Sequence, residues 1–301
     1  MLSDEKILLT GPSGMVGRAL AGGLVDDNEV WGVARFGTAQ NRTALDDLGV
    51  TTRAIDLASD DYGDLPDDFT YVVHLAFGRG GIDDFEPVLA TAAEGTGRVL
   101  AHCRSAKAAL VMSSHAIYGL RDDPWYAQRE TDSLGGSVPP WAPTSPAAKL
   151  TMEAVARSAA VTLDLPVVIA RLNTVFGPFG GLPNMHGAAI AKGDPITAPA
   201  DPNPHSPIHT DDMLAQLDAL LDAASAPATI VNWSGDEAVT TQQWAALAAE
   251  LAGTTAQVNV HEMPGVAKGA VADPTKRIGI TGPCQVDWKD GLTQVFRNQV
   301  S

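Results

Sequence analysis

Residues 144–154 read TSPAAKLTMEA and set Ser145 four positions ahead of Lys149. A hydroxyl and an ammonium at that spacing share one helix face, and such a pair moves protons if the hydroxyl is acidic enough. An aliphatic hydroxyl behaves like bulk water, near ~15.7, whereas a phenol ionises near ~10. The gap is worth roughly 7–8 kcal/mol at ~1.36 kcal/mol per unit, more than one cation offsets. Ser145-Pro146 also has the order of a helix start, serine at the N-cap and proline at N1. The sequence therefore predicts that Ser145 caps the helix and at most positions a water near Lys149.

Two further groups carry chemistry. Ser114 ends the apolar run AALVMSS, and His115 follows it. An imidazole, at ~6.5 unperturbed, suits acid–base work near neutrality; a strand-end histidine turned away from a cleft is the equal competitor. TGPSGMVG sets Gly11, Gly14 and Gly17 three apart. Between a strand and a helix, the first glycine makes the turn and the second admits a pyrophosphate. The third lets helix and strand pack, and the helix N-terminus faces the phosphates. Ser13, Met15 and Val16 belong to the same cradle.

These groups need a frame. KILLT (6–10), EVWGVA (29–34), TYVVHLA (70–76), AALVMSS (108–114) and LPVVIARL (165–172) read as buried strands. Amphipathic stretches at 14–27, 85–105 and 146–161 alternate with them as helices. This order predicts an α/β protein with a doubly wound, Rossmann-type parallel sheet. Beyond residue 176, FGPFGGLPNMHG and DPITAPADPNPHSP read as loops. Helices at 210–224 and 240–253 and a strand in ATIVNWSG interrupt this region. The expected division is a dinucleotide-binding domain over 1–176, rejoined by 206–234. A small discontinuous substrate lobe takes 177–205 and 235–301.

A net charge of −16 argues against nucleic acid or an anionic membrane as partner. No apolar run approaches the ~20 residues of a membrane helix, and no leader-like segment precedes Lys6. The two cysteines, Cys103 and Cys284, lack metal-site spacing, so no metal and a reducing, cytoplasmic setting are expected.

The TGxxGxxG spacing resembles the extended short-chain dehydrogenase/reductase family, in its NAD-dependent epimerase/dehydratase branch. Further segments resemble it in order: IDL (55–57), HLAFG (74–78), VMSSHAIYG (111–119), RLNTVFGP (171–178) and IHTDDM (208–213). The resemblance implies a dinucleotide held by the glycine loop, Asp56 and Leu57, Leu75 and Ala76, Lys149, and Leu172 and Asn173. Arg35 falls where NAD-preferring relatives carry an acid, so NADP(H) is expected ahead of NAD(H), with Arg42 equally available for a 2′-phosphate. Relatives often dimerise through the helices at 85–105 and 146–161, so a homodimer is expected.

The same resemblance exposes losses. The family's Y-x-x-x-K has Ser145 in place of its tyrosine, and no such motif occurs elsewhere in the chain. The asparagine that helps hold its proton relay is Ala92, and a diphosphate-gripping arginine is His205. Catalysis is thereby expected to rest on Ser114, His115, Ser145 and Lys149. The first expectation is an NAD(P)(H)-dependent oxidoreductase acting on a small carbonyl or alcohol without a nucleotide handle. A non-redox isomerase, lyase or cyclase is the second, and a non-catalytic NADP-binding regulator the third.

Overall fold

The structure is a computed structural model that describes residues 2–58, 62–78 and 80–300. Its elements are, in order, β1 (Lys6–Thr10), α1 (Met15–Leu24), β2 (Glu29–Ala34), α2 (Ala39–Asp46), β3 (Thr51–Ala54) and β4 (Tyr71–His74). Then come α3 (Phe85–Ala90), α4 (Thr96–His102), β5 (Ala108–Ser114), α5 (Ser145–Thr162) and β6 (Val167–Leu172). Next are β7 (Val175–Phe176), α6 (Leu182–Ala191), β8 (Ile196–Ala198), β9 (Pro204–His205), β10 (Ile208–His209), α7 (Thr210–Asp222) and β11 (Thr229–Trp233). The last are β12 (Val239–Thr240), α8 (Thr241–Ala252), β13 (Val258–Val260), α9 (Thr275–Thr281) and α10 (Trp288–Val300).

Seven strands form the central sheet in the order β11-β6-β5-β4-β1-β2-β3. The pairs β1–β2, β1–β4, β2–β3 and β4–β5 are parallel. This is the doubly wound Rossmann order, and it reverses direction between β1 and β4. The glycine loop leaves β1 at that switch, where such folds bind ligands.

The chain divides into two compact units. One comprises Met1–Ser113, Pro140–Ala170 and Leu214–Val231; the other comprises Ser114–Pro139, Arg171–Met213 and Asn232–Ser301. In the first, buried Leu8, Val72, Val111 and Ile169 of the sheet pack with Val99, Leu100 and Met152 of the helices. In the second, Trp244, Leu247 and Ala248 of α8 pack with Ile190, Leu292, Val295 and Phe296. Among the described residues, no helix is long and apolar enough to cross a membrane.

Three local expectations change. The helix predicted over 85–105 is broken by a π-helical turn at Thr91–Gly95. The Gly/Pro-rich stretch read as loop contains α6, because Pro183 stands in its first turn, where a missing N–H leaves no helical bond unmade. Ser145 does not cap α5. Thr144 occupies the N-cap, its backbone already in the α region at φ −84° and ψ −19°, and no side chain makes a capping bond. The Thr144 hydroxyl instead donates to the Gly80 carbonyl at 3.0 Å and accepts from its N–H at 3.3 Å.

Candidate active site

The first unit holds the dinucleotide candidates. Gly11 has φ +68°, which a side chain rarely adopts, and a Cβ there would sit 3.1 Å from the Ala76 backbone. At Gly17 a Cβ would run into the Gly11 carbonyl oxygen and lie 2.8 Å from Pro12 Cα. At Gly14 it would meet only the Gly11 oxygen, at 3.5 Å. The three glycines thus divide their work as the motif requires: turn, open approach, tight packing. Gly14 opens α1 with no side-chain cap and no acid in the first turn, leaving the positive end of the helix for an anion. Half-buried Ser13 and Met15 flank the opening, while Val16 is buried below it.

Asp56 and Leu57 follow β3. The Asp56 carboxylate is exposed and accepts from Ala58 N at 3.0 Å, and Leu57 is buried. Arg35 is exposed just past β2. Arg42 is not its equal as a free cation. Its Nε donates to Thr52 Oγ1 at 2.8 Å, and its guanidinium lies 5.9 Å from the Phe36 ring centre.

Leu75 and Ala76 leave β4 with their N–H groups on Thr10 Oγ1, at 3.2 and 3.1 Å. Sequence reasoning passed over that threonine and its neighbour His74. His74 Nδ1 is 2.8 Å from Thr10 Oγ1, and its Nε2 is 3.0 Å from Thr96 Oγ1. Burial, reinforced by the Lys149 charge, lowers its imidazole to about 3. A histidine at the end of an otherwise apolar buried strand was the available signal.

Lys149 is 2 % exposed. Its Nζ donates to the Met112 carbonyl at 2.6 Å and lies 4.0 Å from the Phe77 ring centre. Ser145 is half-buried one turn earlier, its N–H on Ala142 O at 3.1 Å. Ala92 lies fully buried inside the π-helical turn.

The second unit holds Ser114, His115, Leu172 and Asn173. Ser114 Oγ accepts from Ala116 N at 3.2 Å. His115 is buried, its ring centre 4.9 Å from that of Tyr118. Its Nδ1 has no hydrogen-bond partner among the described residues. Burial, with His205 and Arg171 adding to it, pulls this imidazole down to about 3. At neutral pH His115 is therefore uncharged, not a stored imidazolium acid. Asn173 is committed to backbone: its Nδ2 donates to Ala270 O at 2.9 Å and its Oδ1 accepts from Thr174 N and Ser206 N. Leu172 is half-buried beside it.

Tyr118 is no substitute phenol. It donates to Asn232 Oδ1 at 2.6 Å and accepts from Arg171 Nη1 at 3.1 Å. His205 is held by Thr174 Oγ1 at 2.7 Å and Asn203 Oδ1 at 3.1 Å. Burial and then His186 lower it to about 3. It is neutral at the position where the resemblance implies an arginine. No group of three or more potential metal ligands occurs among the described residues.

The NAD dependent epimerase/dehydratase family model matches residues 7–232, and the chain belongs to that family. By sequence alone, no curated protein matches it. Among solved structures, a tyrosine-to-phenylalanine variant of UDP-glucuronic acid 4-epimerase from Bacillus cereus is 23 % identical. It superposes with a TM-score of 0.83 over 98 % of both chains, and was solved with NAD and UDP-4-deoxy-4-fluoro-glucuronic acid. UDP-N-acetylglucosamine 4-epimerase from Methanobrevibacter ruminantium, solved with UDP-N-acetylmuramic acid, is 20 % identical with a TM-score of 0.82 over 98 % of both chains. The NAD complex of UDP-glucose 4-epimerase from Thermus thermophilus is 20 % identical with a TM-score of 0.77, again over 98 % of both. At these identities the likeness concerns the fold.

Proposed function

We propose that this protein binds a nicotinamide dinucleotide at the glycine loop and acts as an epimerase-type enzyme on a nucleotide-linked sugar. The observation that carries the cofactor half is Gly14, the one glycine of the three whose missing side chain faces open approach. Gly11–Gly17 would hold the pyrophosphate, Asp56 and Leu57 the adenine side, and Lys149 the nicotinamide ribose. A bound nicotinamide supplies reversible hydride exchange at a secondary alcohol carbon. The sugar-nucleotide half is supported by the ligands named for the B. cereus and M. ruminantium proteins. It replaces the small, handle-free carbonyl as the leading reading.

This chain's own contribution is the handling of the proton. Ser114 hydrogen-bonds the reacting oxygen, while His115, whose buried Nδ1 has no partner among the described residues, keeps an uncharged ring next to it in the chain. A water beside Ser145 and Lys149 takes the place of the phenol. Without that phenol the reaction is slow relative to a tyrosine-bearing active site.

A second reading, a handle-free substrate, is favoured by one observation. His205 is neutral and tied to Thr174 and Asn203, which makes it a poor grip for a diphosphate. One set of measurements tests both. Calorimetric titration with NAD+, NADH, NADP+ and NADPH shows uptake of at least one. The loaded protein then converts UDP-glucose or UDP-glucuronic acid to an epimer detected by proton NMR. No dinucleotide uptake overturns the whole proposal. Uptake without binding of either nucleotide sugar transfers it to the handle-free substrate. The expected homodimer and the preference for NADP(H) are part of the same proposal.

A further inference from the structure

Thr10 Oγ1 already accepts two backbone N–H groups, those of Leu75 and Ala76. A hydroxyl has two acceptor lone pairs and one proton, so its own proton has one use left: donation to His74 Nδ1, 2.8 Å away. With Nδ1 an acceptor, the imidazole proton sits on Nε2 and is donated to Thr96 Oγ1 at 3.0 Å. The tautomer is therefore fixed by the bonds at both ends. Thr10, His74 and Thr96 are all fully buried.

The chain of bonds joins two places that matter for one ligand. At one end, Thr10 immediately precedes the glycine turn and holds the Leu75–Ala76 backbone, which a Cβ on Gly11 would touch at 3.1 Å. At the other, Thr96 begins α4 directly after the π-helical turn. Gly95, the last residue of that turn, is so close to Leu57 that a Cβ there would lie 3.1 Å from the Leu57 Cβ. Leu57 neighbours Asp56, on the adenine side.

We propose that His74 is a positioning residue that, through Thr10 and Thr96, holds the phosphate cradle and the adenine edge of the dinucleotide site in register. The inference rests on the dinucleotide reading above. Its weak point is Thr96, which belongs to neither the cradle nor the adenine edge. Replacing its hydroxyl with a methyl leaves a buried N–H on His74 unpaired. The ring relieves this only by turning, which withdraws Nδ1 from Thr10 and releases the Leu75–Ala76 backbone.

The test uses the full chain. Thr96→Val is expected to raise the Kd for NAD+ and for ADP-ribose by about tenfold, the loss of one buried hydrogen bond. Thr96→Ser keeps the hydroxyl and stays within about twofold of wild type. Nitrogen-15 NMR of the wild-type protein shows His74 as the Nε2–H tautomer, unchanged between pH 5 and pH 9. Unaltered affinity in Thr96→Val, equal loss in Thr96→Ser, or an Nδ1–H tautomer each overturns the proposal. Where the wild-type protein takes up NADP+ in place of NAD+, the same variants are compared with NADP+; wild-type protein that takes up no nicotinamide dinucleotide fails the functional reading instead, and this inference falls with it.

Discussion

Lys149 and Met112 are joined by a 2.6 Å hydrogen bond from the buried ammonium to a carbonyl of β5. The lysine thus fastens α5 to the sheet as well as offering a charge. Lys149→Met is expected to destabilise the fold by about 1–3 kcal/mol by removing a charge-assisted bond. That corresponds to a Tm loss of a few degrees for a chain of this size. Dinucleotide affinity should fall further than stability alone dictates. Thermal melts with and without NAD+ separate the two effects.

Gly14 and Gly17 predict opposite phenotypes. A methyl at 17 collides with the Gly11 carbonyl and the Pro12 backbone, so Gly17→Ala is expected to cost about 1–3 kcal/mol of stability. A methyl at 14 meets one atom at ordinary contact distance. Gly14→Ala should therefore melt close to wild type and lose dinucleotide binding by tenfold or more, about 1.4 kcal/mol. Calorimetric stability and titration of the two variants check this division.

Ser145 makes a sharp test of the missing phenol. If serine contributes no ionisable group, Ser145→Ala keeps turnover within about threefold of wild type. Ser145→Tyr restores an acid about six pKa units stronger and raises kcat by at least tenfold, because α5 and Lys149 are already in place. Steady-state rates of both variants decide it; equal activity in the tyrosine variant would show that the relay has been replaced altogether.

Acid should weaken the folded state over a defined range. Burial lowers His74, His115 and His205 to about 3 and His186 to about 4. The unfolded imidazole titrates near ~6.5. Below that value the unfolded chain binds protons that the folded chain refuses, so stability is complete above ~6.5 and is lost as pH falls towards the folded values. Each such histidine removes about 1.4 kcal/mol per pH unit within the window. Urea midpoints at pH 7, 6 and 5 should fall progressively; a flat profile would contradict the burial of these rings.

Arg35 is exposed beyond β2, while Arg42 is engaged by Thr52 and Phe36. Arg35→Glu is expected to lower NADP(H) affinity about tenfold or more and to leave NAD(H) within about threefold, as loss of a phosphate-pairing cation demands. A wild-type protein with equal affinity for both cofactors would remove this role.

Much of the architecture was legible because the strands carry it openly. KILLT, EVWGVA and AALVMSS form β1, β2 and β5 with the same limits, since each is a short, mostly apolar run bounded by polar or turn residues. The glycine loop was legible for the same reason: three spaced glycines announce backbone constraints that a side chain would violate. The π-helical turn was not, because Ala92 and Gly95 are unremarkable in a helical pattern and only packing on Leu57 distinguishes them. Nor was the cap. Whether Thr144 or Ser145 begins α5 depends on a bond to Gly80, distant in sequence. The state of His115 also lay beyond sequence, because its charge is set by burial and by His205 and Arg171, both distant in sequence.

The four tyrosines hold one practical consequence. Burial raises Tyr62 and Tyr71, and Tyr118 is locked between Asn232 and Arg171. Tyr126, exposed and bonded only lightly to Asp132 at 3.2 Å, is the ring that mild nitration would reach first. A single nitrophenol absorbance band would then report on the surroundings of the segment 120–139 without any engineered reporter.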